Sequence, residues 1–101
     1  MPRYRTHSQR LLDTFESVLF SEADVALPEE PGVYFVTTKK SHIIYIGQSM
    51  NMRRRWADGH HQTLPCLRNG AHYIYYQLTS EPYDIEPLYI EEFKPQLNQR
   101  T

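Results

Sequence analysis

The 101-residue sequence predicts a single α/β (α+β) domain, because strand patterns and helix patterns alternate along a chain of single-domain length. Two apolar, aromatic runs lie between Gly32 and Gly47 and are separated by a polar turn at residues 39–41, which indicates a β-hairpin. A cationic helix pattern follows at residues 52–56. Residues 71–78 are rich in Tyr and Ile and predict a third strand. The remaining segments are predicted to support the hairpin and the cationic helix.

Charge and composition limit the classes of function. The net charge is −1 at pH 7, so nucleic-acid binding, which usually accompanies a basic excess, would require a local cationic patch. Cys66 is the single cysteine, which excludes an internal disulfide and a CxxC zinc site. No apolar stretch reaches the roughly 18 residues of a membrane span, and no secretory signal is visible. We therefore expect a cytoplasmic, intracellular protein without a membrane partner.

The N-terminal third is predicted to be a helix followed by an acidic connector. Residues 1–5 form a short basic lead without a pattern and are expected to fray. Thr6 and Gln9 fit a capping box, and apolar residues at helical spacing then predict a helix over residues 7–20. We expect this helix to pack on the sheet, with a partner-binding helix as the alternative. Residues 22–31 are acidic and bounded by proline, which disfavours both helix and central strand.

The cationic helix has a recognisable start, inner face and end. Ser49 or Asn51 can cap its first turn. Met52 and Trp56 are four residues apart and share one face, while three consecutive arginines fan around the others. Gly59 can adopt a left-handed backbone, so the helix is predicted to end there.

The C-terminal part is predicted to contain a loop, a strand and a helix. Residues 63–70 contain a proline and end in Asn-Gly, which predicts a loop with a short helical turn. The strand at residues 71–78 follows. An apolar helix is then predicted over residues 85–93, with Pro87 tolerated in its first turn and Pro95 ending it.

The residues needed for phosphodiester cleavage are present. Such a site places cationic donors on the phosphate, holds a hard cation through a carboxylate and orients the attacking water. Arg55 could bind phosphate oxygens in pairs, and Glu86 could hold Mg²⁺, which needs only one or two protein carboxylates. Tyr34, Tyr45 or a histidine could orient the water.

Each candidate also has a structural interpretation. Consecutive arginines are often a solvated helix face, and tyrosines in strands often only pack. Glu86 could complement the dipole at a helix N-terminus. The His60-His61 pair has no partner at metal-ligand spacing, which disfavours zinc, and His42 and His72 are expected to be structural or exposed.

The joint occurrence of these residues resembles the GIY-YIG nuclease family. The resemblance covers residues 32–98, so residues 1–31 would be a helix and connector packed on that unit within one domain. The matching motifs, in chain order, are Gly32-Val33-Tyr34, Tyr45-Ile46-Gly47, Gln48 to Met52, Arg55-Trp56, Glu86, and a closing pattern of Ile90, Phe93, Pro95, Leu97 and Asn98.

The resemblance implies a central three-stranded antiparallel sheet flanked by helices, and DNA cleavage that uses one Mg²⁺ or Mn²⁺ ion. Tyr34 and Tyr45 would line the site, with one of them positioning or deprotonating water. Arg55 would stabilise the phosphate and Glu86 would bind the metal. Asn98 would hold the site together by hydrogen bonds.

The histidine of the resemblance is displaced by one residue. Family members often carry a histidine or tyrosine four residues after the arginine, on the same helix face. Here Gly59 occupies that position and His60 follows. Either Gly59 ends the helix and lets His60 turn back into the site, or the histidine role is lost. We expect the first, because glycine suits such a turn.

The leading interpretation is therefore a metal-dependent DNA endonuclease that is either structure-selective or takes its specificity from a protein partner or a homodimer. The alternatives are a catalytically silent nucleic-acid-binding module and a protein-interaction module on the same fold. The further side chains expected to bind DNA are Arg53, Arg54, Lys39 and Lys40.

Overall fold

Four antiparallel strands form the central sheet in the computed structural model, which describes residues 6–99. The strands are β1 (Glu16–Leu19), β2 (Gly32–Thr38), β3 (Ile43–Ser49) and β4 (Ala71–Leu78). Their order across the sheet is β1-β4-β2-β3, so β2 and β4 are central. The predicted antiparallel sheet is confirmed, but it has four strands instead of three.

Five helices surround the sheet in the described part of the chain. They are α1 (His7–Leu12), α2 (Ala23–Ala26), α3 (Met52–Ala57), α4 (Thr63–Arg68) and α5 (Pro82–Phe93). Two 3₁₀ turns, Phe20–Glu22 and Gln96–Asn98, complete the described elements. The predicted basic lead at residues 1–5 lies outside the described residues. None of these helices has the length and hydropathy to cross a membrane.

The predicted helix over residues 7–20 is wrong in its second half. The capping box is present, with Thr6 and Gln9 exchanging both hydrogen bonds. The helix nevertheless ends at Leu12, and Glu16–Leu19 pairs with β4 as the fourth strand. Helical spacing failed because Val18 packs on the opposite sheet face from Leu12. β-branched and apolar residues with a partner strand gain more from a sheet than from extending a short helix.

Two other predicted elements also differ. The acidic connector contains α2, which is fixed by buried Ala23 and Leu27 and ends before the first proline of that segment. The last helix begins at Pro82, so Pro87 lies in its interior and not in its first turn. The carbonyl of Tyr83 then lacks a helical donor, but both Tyr83 and Pro87 are exposed and water can hydrate it.

Alternation along β2 divides the core into two layers. Val33 and Phe35 face a cluster that includes Leu12 of α1 and the apolar side of α5. Tyr34 and Val36 face the other cluster, which is covered by α2, α3 and α4. The tyrosine of the first motif therefore points into the layer beneath the cationic helix.

Candidate active site

Tyr34 and His60 form a buried hydrogen-bonded pair. The Tyr34 side chain on β2 is only 1% exposed, and its Oη lies 2.7 Å from His60 Nε2. The backbone N–H of Gln62 donates to His60 Nδ1 over 3.0 Å. Because a backbone N–H can only donate, Nδ1 carries no proton, and the proton of the neutral ring lies on Nε2. His60 therefore donates to Tyr34 Oη, which leaves the hydroxyl hydrogen of Tyr34 free for another acceptor.

Burial sets the protonation of this pair. Burial lowers the pKa of His60 to about 3, and the charges of Arg55 and His61 act in the same direction. Burial also raises the pKa of the Tyr34 hydroxyl far above its ordinary value. At neutral pH the imidazole is therefore neutral and the phenol is protonated, consistent with the tautomer that the hydrogen bonds assign.

Gly47 on β3 provides the space for the Tyr34 ring. The two residues are cross-strand partners. A Cβ added at Gly47 would lie 2.5 Å from Tyr34 Cε1 and 2.7 Å from Tyr34 Oη. Contacts this short do not occur between unbonded carbon atoms, so a larger residue would displace the ring. The glycine that ends the second sequence motif is thus required by the tyrosine that ends the first.

The end of α3 turns His60 into the site. Asn51 caps the helix by accepting a hydrogen bond from the backbone N–H of Arg54. The helix ends at Ala57, and Gly59 adopts a left-handed backbone with φ of 87°. His60 is consequently 4% exposed, and its ring stacks on Trp56 with centroids 4.1 Å apart. This is the position expected for the displaced histidine.

Tyr45 lies on β3 beside the same pair. Its ring centroid is 6.4 Å from that of Tyr34 and 5.6 Å from that of His60. Burial, followed by the charge of Glu86, raises the pKa of Tyr45 to about 12. The side chain is half-buried, so part of it reaches the surface beside the Tyr34–His60 pair.

Arg55 brings a positive charge close to the Tyr34–His60 pair. It is half-buried on α3. Its positive charge opposes the rise that burial causes in the pKa values of Tyr34 and Tyr45. Its Nη2 donates to Nδ1 of His61 over 3.0 Å. Among residues 6–99 it forms no ion pair, so its charge is not cancelled by a carboxylate.

Glu86 brings a carboxylate from α5. Its helix packs against β3, and its charge adds to the rise that burial causes in the pKa values of Tyr34 and Tyr45. The side chain is half-buried, and burial raises the pKa of its own carboxyl group. Within the described range it has neither a hydrogen-bond partner nor an ion-pair partner. A desolvated carboxylate without a partner is a favourable ligand for a cation.

The donor set suits magnesium better than zinc. Residues 6–99 contain no group of three or more His, Cys, Asp or Glu side chains that could enclose a metal ion. Zinc normally requires three or four such ligands, whereas Mg²⁺ is held by one or two carboxylates and keeps several waters. The single carboxylate of Glu86 therefore fits Mg²⁺ or Mn²⁺.

Asn98 holds the strand that carries Tyr45. Its Nδ2 donates to the Ile46 carbonyl and its Oδ1 accepts from the Ile46 N–H, each over 2.8 Å. Because β3 is an edge strand, these outward-facing groups have no partner strand. Asn98 thus replaces a partner strand beside Tyr45 and Gly47.

The other predicted DNA-binding cations have no contact with the Tyr34–His60 pair. Arg53 donates from Nε to the Leu27 carbonyl over 2.7 Å and pairs with Glu29. Arg54 is exposed and pairs with Asp58 at 3.5 Å. The two lysines, Lys39 and Lys40, are exposed in the turn between β2 and β3. That turn lies about 16 Å along the strand from the tyrosine of β2.

The contact between His61 and Arg55 was not predicted from the sequence. His61 was weighed there only as half of a histidine pair for zinc, because contacts across a helix end are not visible in residue spacing. The signal that could have indicated it is the doubled histidine directly after Gly59.

Comparisons with known proteins identify the family of this chain. The family model of the GIY-YIG catalytic domain matches residues 30–99, which is more than half of the chain. The chain belongs to the GIY-YIG family. The resemblance seen in the sequence motifs is therefore confirmed. No curated protein matches the sequence.

Solved structures show the same GIY-YIG fold. The magnesium-bound N-terminal endonuclease domain of UvrC from Thermotoga maritima superposes with a TM-score of 0.65 and 22% identity, covering 79% of this chain and 96% of that domain. A tyrosine-to-phenylalanine variant of the same domain, bound to its catalytic divalent cation, gives a TM-score of 0.67 and 23% identity, covering 80% and 96%. At this identity the likeness shows the fold alone.

Proposed function

We propose that this protein is a divalent-metal-dependent endonuclease that hydrolyses phosphodiester bonds in DNA. The observation that carries the proposal is the buried Tyr34–His60 hydrogen bond, to which Arg55 is connected through its bond to His61 and the stacking of His61 on His60. The helix that carries the unpartnered Glu86 packs against β3, the strand of Tyr45. The cation-bound UvrC domain with the same fold supports a metal-dependent reaction in this family member.

Glu86 would hold Mg²⁺ or Mn²⁺ in this site. When bound, such an ion polarises a phosphate oxygen and stabilises charge that develops on it. Arg55 would bind a neighbouring oxygen of the same phosphate, since its guanidinium is free of carboxylates.

Tyr34 would orient the attacking water through its hydroxyl group. His60 occupies one acceptor position of Tyr34 Oη through Nε2–H, so the hydroxyl hydrogen and the remaining lone pair are not used by His60 and would bind the attacking water. Tyr45 would contact the substrate from the surface beside this pair. Asn98 would act only through Ile46, by keeping β3 in place.

Few of the described cationic side chains near the proposed site are free of acidic partners. Arg53 and Arg54 both have acidic partners, and the net charge of the chain is −1. Phosphate neutralisation by Lys and Arg supplies most non-specific DNA affinity. We therefore expect weak binding to duplex DNA by this chain alone, with a protein partner or a second copy adding affinity and specificity.

Nicking of supercoiled plasmid across Mg²⁺ and Mn²⁺ titrations tests the proposal. We expect the closed circles to be nicked only when a divalent ion is present. Binding without nicking under every metal would favour a silent nucleic-acid-binding module. A DNA affinity that does not fall with added salt would indicate that phosphates are not contacted, and would favour a protein-interaction module.

A further inference from the structure

His61 is the hydrogen-bond partner of the Arg55 guanidinium. Arg55 Nη2 donates to His61 Nδ1 over 3.0 Å. The His61 ring also stacks on His60, with centroids 4.8 Å apart and an interplanar angle of 17°. His60 stacks in turn on Trp56, with an interplanar angle of 18°. The guanidinium thus contacts the outer end of a column of three rings whose inner members are buried.

A neutral hydrogen-bond acceptor such as His61 can orient the Arg55 guanidinium without cancelling its charge. An arginine side chain has several rotatable bonds, so a fixed acceptor and a stacked support reduce the freedom that must be lost when phosphate binds. A carboxylate could also accept from Arg55, but it would cancel the charge that phosphate needs. A neutral imidazole orients the guanidinium and leaves its full charge in place. Four of the five N–H donors of the guanidinium remain for other acceptors.

We propose that His61 is a positioning residue for the cleavage reaction, and that its Nδ1 aims the Arg55 guanidinium at the scissile phosphate. The inference rests on the proposed endonuclease function. It assigns His61 no contact with the substrate, so its removal should act entirely through Arg55.

Two substitutions of His61 test its role as a hydrogen-bond acceptor separately from the stacking of its ring on His60. His61→Phe keeps a ring that can stack on His60 but removes the acceptor, whereas His61→Asn places a carbonyl oxygen near the former Nδ1. We expect His61→Phe to lower the kcat for plasmid nicking by roughly 10-fold to 100-fold, the range of a misplaced catalytic group. We expect His61→Asn to restore most of that rate. His42→Phe, at an exposed histidine in the turn between β2 and β3, is the matched control.

A double mutant tests whether His61 acts through Arg55. In the Arg55→Ala background, His61→Phe should add no further loss of kcat. Wild-type kcat in His61→Phe, or an equal loss with and without Arg55, would overturn the proposal.

NMR of the imidazole nitrogens provides a readout that does not depend on cleavage. The neutral ring of His61 should carry its proton almost exclusively on Nε2 in the wild type, and Arg55→Ala should raise the Nδ1–H fraction to that of a free imidazole. An equal Nδ1–H fraction in the two proteins would count against the contact. If the wild type nicks DNA with neither Mg²⁺ nor Mn²⁺, the proposed endonuclease function fails, and the affinity for a short duplex in the absence of metal then decides. Weaker binding in His61→Phe that His61→Asn restores would support the aiming of Arg55 at phosphate, and unchanged binding would overturn it.

Discussion

The side-chain amide of Asn98 makes two hydrogen bonds to the backbone of Ile46, one in each direction and both 2.8 Å long. This arrangement stabilises the exposed edge of β3. Asn98→Ala should remove both bonds and lower the free energy of unfolding by about 1–3 kcal/mol. Nicking should also fall, because Tyr45 and Gly47 flank Ile46. Urea unfolding measures the first effect, and Gln96→Ala, which removes one exposed hydrogen bond to Asn69 from the same 3₁₀ turn, is the control. Equal stability of the two variants would contradict the role of Asn98.

Arg55 and Arg53 are two residues apart on α3 but have different partners. Arg55→Ala should leave the fold intact and lower kcat by roughly 10²-fold or more, as expected for a lost transition-state donor. Arg53→Ala should instead lower stability, because Arg53 bonds to the Leu27 carbonyl and pairs with Glu29. Thermal melting followed by circular dichroism should therefore show the larger loss for Arg53→Ala, and plasmid nicking should show the larger loss for Arg55→Ala.

Glu86 is half-buried, whereas the other carboxylates of α5, Asp84, Glu91 and Glu92, are exposed. Glu86→Gln keeps the size of the side chain but removes the charge that holds a hard cation, so metal-dependent nicking should be lost. DNA binding without metal should persist or tighten, because repulsion of phosphate is relieved. Glu91→Gln is the matched control, since Glu91 is exposed on the same helix. Nicking by Glu86→Gln at the wild-type rate would remove Glu86 from the site.

The contact between Gly47 and Tyr34 predicts a steric effect that depends on both residues. Gly47→Ala places a methyl group 2.5 Å from Tyr34 Cε1, so it should displace the ring and destabilise the protein by about 1–3 kcal/mol. The same substitution should cost less in a Tyr34→Leu background, where the ring is absent. Both variants should lose nicking. Urea unfolding of the four proteins of this double-mutant cycle measures the coupling, and additive costs would show that the methyl group does not meet Tyr34.

The buried neutral His60 predicts acid sensitivity of the fold. Its pKa is lowered from 6.5 to about 3, so between these values the unfolded chain binds more protons than the folded one. Stability from this group is complete above pH 6.5 and falls as the pH drops towards 3, by up to about 1.4 kcal/mol for each pH unit. His60→Phe should show a flatter stability curve between pH 7 and pH 5. Parallel curves for the variant and the wild type would indicate that His60 titrates normally.

The motif residues of the hairpin could be predicted from the sequence because their geometry is local. Tyr34 and Gly47 occupy paired positions of adjacent strands, and alternation fixes the face on which Tyr34 points. The end of α3 was predictable for the same reason, since only Gly59 needs a left-handed backbone there.

The remaining features depend on packing between distant segments. Residues 16–19 become a strand because β4 offers a partner, which the apolar spacing of that segment cannot indicate. Glu86 reaches the tyrosines only because α5 packs beside β3. The resemblance selected Glu86, whereas spacing alone could not have distinguished it from Glu91 or Glu92. The contact of His61 with Arg55 likewise depends on how the chain leaves Gly59.

The hydrophobic core extends beyond the segment that matches the family, residues 30–99. Buried Leu12 belongs to one core layer, and buried Phe20 and Leu27 belong to the other, yet all three precede that segment. A chain trimmed at the family boundary would uncover both faces of the sheet. We expect such a fragment to aggregate or remain partly unfolded, so its inactivity would reveal nothing about the chemistry of the site.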